Sequence, residues 1–85
     1  GSSNGDIAPF YILVDGVVTP LTVRFDADNA SPDLFLSSFE GLAEPGTYES
    51  RDYDNSVGEW SVRTWKLDVL HRELIQTAVA AEPVG

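Results

Sequence analysis

The first apolar run of the chain is followed by a turn signal that predicts a β-hairpin. Residues 10–14 are continuously apolar, and the apolar pair Val17-Val18 follows after Asp15-Gly16. Asp-Gly between two apolar runs favours a type I′ turn, because that turn requires positive φ at both central residues. We therefore expect two antiparallel strands joined at Asp15-Gly16.

The second arm of this hairpin is predicted to run to about Phe25. Leu21, Val23 and Phe25 alternate with polar residues, as in a strand that buries one face. Pro20 interrupts the arm and cannot donate a hydrogen bond to a neighbouring strand. It indicates an edge position or a break near the base of the hairpin.

Shorter strands are predicted through the middle of the chain, separated by loops rich in Gly, Pro, Asp and Asn. Trp60 and Val62 alternate with polar residues and are expected to face the core. The predicted strands cover residues 34–36, 47–53 and 59–63, and the predicted loops and turn cover residues 26–33, 40–46 and 54–58.

The last third of the chain changes to a spacing of three and four, which predicts an amphipathic helix. Thr64 is the expected N-cap, because its hydroxyl can accept a free backbone N–H of the first turn, and Pro83 ends the pattern. Trp65 then falls on the side opposite the apolar stripe, or folds over the edge of the sheet. The stripe comprises Leu67, Leu70, His71, Leu74, Ala78 and Ala81.

These elements predict an α+β fold, an antiparallel sheet of four or five strands with one C-terminal helix packed on one face. Residues 1–6 are interpreted as a tag remnant and flexible N-terminus, because Gly1-Ser2-Ser3 is typical of a cloning scar. Residues 7–82 form the single expected domain, and residues 83–85 form a tail.

Charge restricts the classes of partner. The chain has 14 acidic and 5 basic residues, for a net charge of −9. This charge repels nucleic acid and anionic membranes, so we expect no direct contact with either. Nine acidic residues lie between Asp26 and Glu59, where Arg51 is the only basic residue. Solvated loops on a soluble domain are the commoner explanation of such a composition. The functional alternative is a surface that binds a protein with a basic surface.

No residue pattern indicates catalysis, a metal site or a cofactor. The chain has no cysteine and no Gly-x-Ser-x-Gly motif. Counted from Asp26 as an EF-hand loop, the sixth residue is Ser31 in place of Gly and the twelfth is Ser37 in place of Glu. His71 is the only histidine and is expected to be a partly buried core residue. We expect a protein that is not an enzyme.

The predicted partner-binding residues combine acidic contacts with two aromatic anchors. Trp is enriched at the centres of protein interfaces, so an outward Trp65 beside an outward Val69 is a candidate anchor. The predicted set is Asp26, Asp28, Asp33, Asp52, Tyr53, Asp54, Glu59 and Trp65.

Four short segments of the chain share a pattern with a known class of proteins: 10–16, Tyr48-Glu49-Ser50, Val62-Arg63-Thr64-Trp65 and Leu70-His71. They resemble a class of small proteins encoded by temperate phages and prophages of proteobacteria. The chain departs from that class at Asp52-Tyr53-Asp54, where the class has a Gly-rich turn, and at Leu70, where it has Gly. The resemblance covers about half of the chain and implies a small accessory protein of a phage or mobile element. The class has no established activity.

The leading hypothesis is a non-enzymatic protein-binding module. In the phage setting it would be an accessory protein in the host cytoplasm that inhibits a defence or nucleic-acid-handling protein. One alternative is a virion or assembly component whose sheet edge pairs with copies of itself. A small enzyme is the third alternative.

Overall fold

The computed structural model describes residues 6–54 and 56–83, and these residues form an all-β structure. The predicted α+β fold is wrong, because the described residues contain no helix. The ten strands are β1 (Asp6–Pro9), β2 (Tyr11–Val14), β3 (Val17–Pro20), β4 (Thr22–Arg24), β5 (Ala30–Ser31), β6 (Asp33–Leu36), β7 (Ser38–Gly41), β8 (Thr47–Asp54), β9 (Glu59–Asp68) and β10 (Glu73–Pro83).

A six-stranded sheet in the order β5-β4-β10-β9-β8-β7 forms the main layer. Its neighbouring strands are antiparallel except for β4 and β10, which run parallel. Two two-stranded sheets complete the described structure, β1 with β6 and β2 with β3. The long strands β8, β9 and β10 extend past the short outer strands, so the molecule is elongated, with extents of 44 × 29 × 26 Å.

The hairpin predicted at Asp15-Gly16 is confirmed. β2 and β3 pair in an antiparallel register with Val14 opposite Val17. Asp15 has φ of 52° and Gly16 has φ of 78°, the positive values that a type I′ turn requires. Pro20 ends β3, which confirms the break that its missing N–H predicted.

The predicted C-terminal helix is wrong, because the chain continues as strand β9, turns at residues 69–72 and returns as β10. The three-and-four spacing arises by coincidence from two strands and the turn between them. Leu67 and Leu74 are register partners on one face of the sheet, whereas Leu70 lies in the turn and is 80% exposed. Thr64 lies inside β9, so the prediction that it is a helix N-cap is wrong.

The core lies against one face of the six-stranded sheet, which we call the core face. Aromatic rings extend the buried cluster, with Phe25 edge-on to Trp65 at 5.7 Å and Phe39 stacked on Tyr48 at 5.2 Å. Leu34 carries β6 onto this face and closes the core. The buried cluster is Val23, Leu34, Trp65 and Leu74, and the confirmed alternation of β4 places Val23 within it.

Candidate functional site

The predicted acidic residues occupy three separate places. Asp26 and Asp28 lie in the turn after β4, whereas Asp33 begins β6. Asp26 organises its own turn, because its carboxylate accepts hydrogen bonds from the Asn29 side chain at 2.8 Å and from the backbone N–H of Asp28 at 2.8 Å. These bonds hold the pKa of Asp26 below its usual value. Asp26 therefore has a local structural role.

Four of the five other predicted residues, all but Trp65, converge at the free end of the β8–β9 hairpin. Register pairing places Asp54 directly opposite Glu59 and Tyr53 directly opposite Trp60. We call the surface formed by Asp52, Tyr53, Asp54, Glu59 and Trp60 the hairpin-end patch. Strand alternation puts its two aromatic side chains on the outer face of the sheet and its acidic side chains on the core face, beyond the buried cluster.

Tyr53 and Trp60 form an edge-to-face aromatic pair. Their ring centroids are 5.3 Å apart and the ring planes meet at 61°. Both residues are half-buried, so each keeps part of its ring in contact with solvent. Trp60 was predicted to face the core and instead lies on the outer face. A rigid aromatic pair with remaining exposed area is a common centre of a protein interface.

The three carboxylates of the hairpin-end patch have different polar contacts. Asp52 pairs with Arg63 at 3.3 Å. Asp54 accepts hydrogen bonds from the Ser56 hydroxyl at 2.6 Å and the Ser56 backbone N–H at 2.9 Å, which lower its pKa and keep it ionised at neutral pH. Glu59 faces Asp54 across the strands, and like charges in directly opposite positions destabilise a sheet.

Trp65 is fully buried, which contradicts its predicted place as an outward aromatic residue. Its indole Nε1–H donates a 2.8 Å hydrogen bond to Oγ of Ser50, which is also fully buried. The prediction was wrong because β9 continues past Thr64 and turns this side chain onto the core face. Trp60, which is half-buried on the outer face, takes the outward position that was expected of Trp65.

His71 is exposed, which contradicts the prediction of a core histidine. It lies in the turn between β9 and β10, where its Nδ1 is 2.8 Å from Oδ2 of Asp68. Its backbone N–H also bonds to Asp68, and these bonds lower the pKa of the Asp68 carboxyl. The pair closes a tight turn, in which Arg72 adopts the left-handed conformation with φ of 55°.

The β2–β3 hairpin exposes more apolar surface than the sequence suggested. Leu13 is 71% exposed and Val18 is 64% exposed, and neither β2 nor β3 pairs with another strand among the described residues. The base of the hairpin covers an apolar cleft of about 140 Å³ that Phe10, Leu21 and Phe39 help to line. Pockets for small molecules usually measure about 300–1,000 Å³, so this cleft is small for a ligand.

No protein-family model, curated protein or solved structure matches the chain. Along residues 6–54 and 56–83, no helix is long and apolar enough to cross a membrane. Over the same residues, no group of three or more His, Cys, Asp or Glu side chains is arranged to hold a metal ion.

The predicted turn between β8 and β9 gave the wrong cross-strand partner for Tyr53, because it was one residue too long. Residues 54–58 were predicted as a turn between two strands. Counting outward from that turn places Tyr53 opposite Glu59, because cross-strand partners in a hairpin are fixed by the length of the loop. The observed register begins one residue earlier, with Asp54 opposite Glu59, and therefore pairs Tyr53 with Trp60.

Proposed function

We propose that the chain is a non-enzymatic protein-binding module and that the hairpin-end patch is its contact with a basic partner. The observation that carries the proposal is the half-exposed Tyr53–Trp60 pair beside the opposed carboxylates of Asp54 and Glu59. An Arg or Lys side chain of the partner can lie over an aromatic ring. A second basic side chain of the partner can contact the core face of the sheet and relieve the repulsion between the two carboxylates.

Ion pairs on the neighbouring part of the sheet compensate the negative charge there, whereas the charge of the hairpin-end patch is largely uncompensated. Arg51 bonds to Glu82 at 2.9 Å and to Glu49 at 3.0 Å, so these carboxylates are already partly neutralised. Asp54 and Glu59 have no arginine or lysine within ion-pair distance among the described residues. A basic partner is therefore expected to favour the end of the hairpin over the middle of the sheet.

The phage setting remains part of the proposal. A small acidic accessory protein in the host cytoplasm would meet host proteins with basic surfaces, including those that handle nucleic acid. Inhibition would follow if the bound surface were one that the host protein needs for its own ligand.

The test is a titration of the protein with a short arginine-rich peptide, followed by NMR of the two indole N–H groups. The Trp60 signal is expected to shift saturably, whereas the buried Trp65 signal serves as an internal reference. Binding is expected to weaken as NaCl rises from about 50 to about 300 mM, because salt screens exposed charges.

Two charge variants separate the hairpin-end patch from the net charge of the chain. Glu59→Gln is expected to weaken peptide binding several-fold, and Trp60→Ala to weaken it about tenfold or more. Glu44→Gln removes the same charge from an exposed residue beyond the other end of β8 and is expected to leave binding nearly unchanged. Equal weakening by Glu59→Gln and Glu44→Gln, or no saturable shift at low salt, would refute the assignment of this patch.

A further inference from the structure

Strand β10 has a long free edge. β4 pairs with β10 only at residues 73–75, and β10 continues to Pro83 along β9. No other strand within residues 6–54 and 56–83 pairs with β10. Residues 77–83 are exposed. One side of this segment is bonded to β9, and the other side presents backbone groups to solvent.

Two hydrogen bonds fix which backbone groups are free. The N–H of Leu42 bonds to the carbonyl of Thr47, and the N–H of Leu67 bonds to the carbonyl of Gly46. In an antiparallel pair, successive residues direct their backbone groups alternately to the two sides. The register therefore directs odd-numbered residues of β9 towards β8, and even-numbered residues of β9 towards β10.

The same alternation extends to β10 after the bulge between Gln76 and Ala78. Ala78, Ala80 and Glu82 direct their backbone groups to β9, since their register partners are the even-numbered residues of that strand. Val79 and Ala81 direct their N–H and carbonyl groups away from the sheet. Pro83 also directs its backbone away from β9, but it has no N–H that could donate a hydrogen bond.

We propose that two copies of the chain associate through this edge, with β10 of one copy antiparallel to β10 of the other about a two-fold axis at Ala80. In this arrangement Val79 lies opposite Ala81 of the second copy, and each N–H faces a free carbonyl. The edge is thus complementary to itself in hydrogen bonding. The two six-stranded sheets join into one continuous sheet.

Side-chain size fits the same register. Ala80 faces Ala80 of the second copy in a non-hydrogen-bonded position, where Cα atoms approach to about 4.5 Å and small side chains are favoured. Ala78 faces Glu82 of the second copy. The segment lacks the lysines, inward charges and internal prolines that usually protect an edge strand from pairing, and Pro83 limits the pairing at its end.

Charge also favours association of two copies through this edge of β10 rather than through most of the remaining surface. Each chain carries a net charge of −9, so two copies repel one another across acidic surfaces. Residues 76–81 are uncharged, and Glu82 is paired with Arg51. The two-fold arrangement also keeps the two Glu82 side chains on opposite sides of the axis.

The test is sedimentation of the whole chain from about 10 μM to about 1 mM, a range that detects the weak dimer expected of a short edge. The weight-average mass is expected to approach that of a dimer and to stop there. Dimerisation should tighten as salt rises, because the two copies are alike in charge, whereas binding of the arginine-rich peptide should weaken. The opposite salt responses distinguish failure of this inference from failure of the proposed function.

Three variants test the register. Ala81→Pro removes an N–H that β9 does not use, so it is expected to preserve the fold and to weaken the dimer about tenfold or more. Ala80→Lys places two lysines against each other at the axis and is expected to weaken the dimer several-fold. Ala78→Lys is the matched control, because it places lysine opposite Glu82 and should leave the dimer unchanged or tighter.

Three results would overturn the inference. The first is a monomer at every concentration, and the second is equal weakening by Ala80→Lys and Ala78→Lys. The third is growth beyond a dimer, which would indicate head-to-tail pairing with another surface such as the β2–β3 hairpin. Circular dichroism of each variant establishes that a lost dimer does not reflect a lost fold.

Discussion

The hydrogen bond between Trp65 and Ser50 gives a direct test of the β8–β9 register. Both side chains are fully buried, and the bond measures 2.8 Å. Ser50→Ala removes the acceptor and leaves the indole N–H buried without a partner. Such a group costs about 1–3 kcal/mol of unfolding free energy. Since a domain of this size is stable by only about 4–13 kcal/mol, the loss should be easily measured.

Trp65→Phe removes the donor and also part of the buried ring. The expected loss is about 2–4 kcal/mol, from the empty volume and from the Ser50 hydroxyl left without its donor. In the double variant no polar group is left unpaired. The double variant should therefore be more stable than the sum of the two single losses predicts, by about 1 kcal/mol.

Urea unfolding followed by far-UV circular dichroism measures all of these free energies, because this signal does not depend on the tryptophan that is replaced. Ser38→Ala, at an exposed serine of β7, is the control and should change stability by less than about 0.5 kcal/mol. A Ser50→Ala loss as small as this control, or losses that add in the double variant, would contradict the contact and the register that produces it.

Three further experiments, two with pairs of variants and one pH titration, test separate parts of the fold. Gly46→Ala should destabilise by about 1 kcal/mol, because Gly46 has φ of 80°, whereas Gly41→Ala, whose added Cβ would lie 3.9 Å from Tyr48, should be nearly neutral; urea midpoints compare the two. An NMR titration should place the pKa of Asp26 below 3.8, so its contribution to stability is present above that pH and is lost as pH falls through the folded pKa. Leu13→Ser and Val18→Thr should each change the unfolding temperature little, because both side chains are largely exposed, and a large fall would show that the hairpin packs against the domain.

The first half of the fold could be predicted because its signals are local. Asp15-Gly16 specifies a turn through the φ values of two adjacent residues, and Pro20 ends a strand because it lacks an N–H. The alternation of Leu21 and Val23 reports burial on one face directly, and both residues are buried. None of these inferences depends on residues distant in the sequence.

The C-terminal half could not be assigned in the same way, because β10 buries few residues. Leu74 is the one buried residue of β10, and the strand is exposed on both faces from Thr77 onward. An exposed strand has no reason to alternate, so its alanines favour a helix on propensity alone. The long pairing with β9 decides the outcome, since tertiary hydrogen bonding overrides local preference.

The two proposed surfaces would act together in a dimer. A two-fold axis perpendicular to the sheet keeps both Tyr53–Trp60 pairs on the same face. Trp60 is the register partner of Glu82, one strand away from the dimer edge. With strands about 4.8 Å apart and residues about 3.3 Å apart, the two Trp60 positions lie about 20 Å from each other. A partner with two basic sites at that spacing would bind both patches, and its avidity would exceed that of one patch by about a hundredfold or more. Ala81→Pro should remove that gain and leave the binding of a single arginine-rich peptide unchanged.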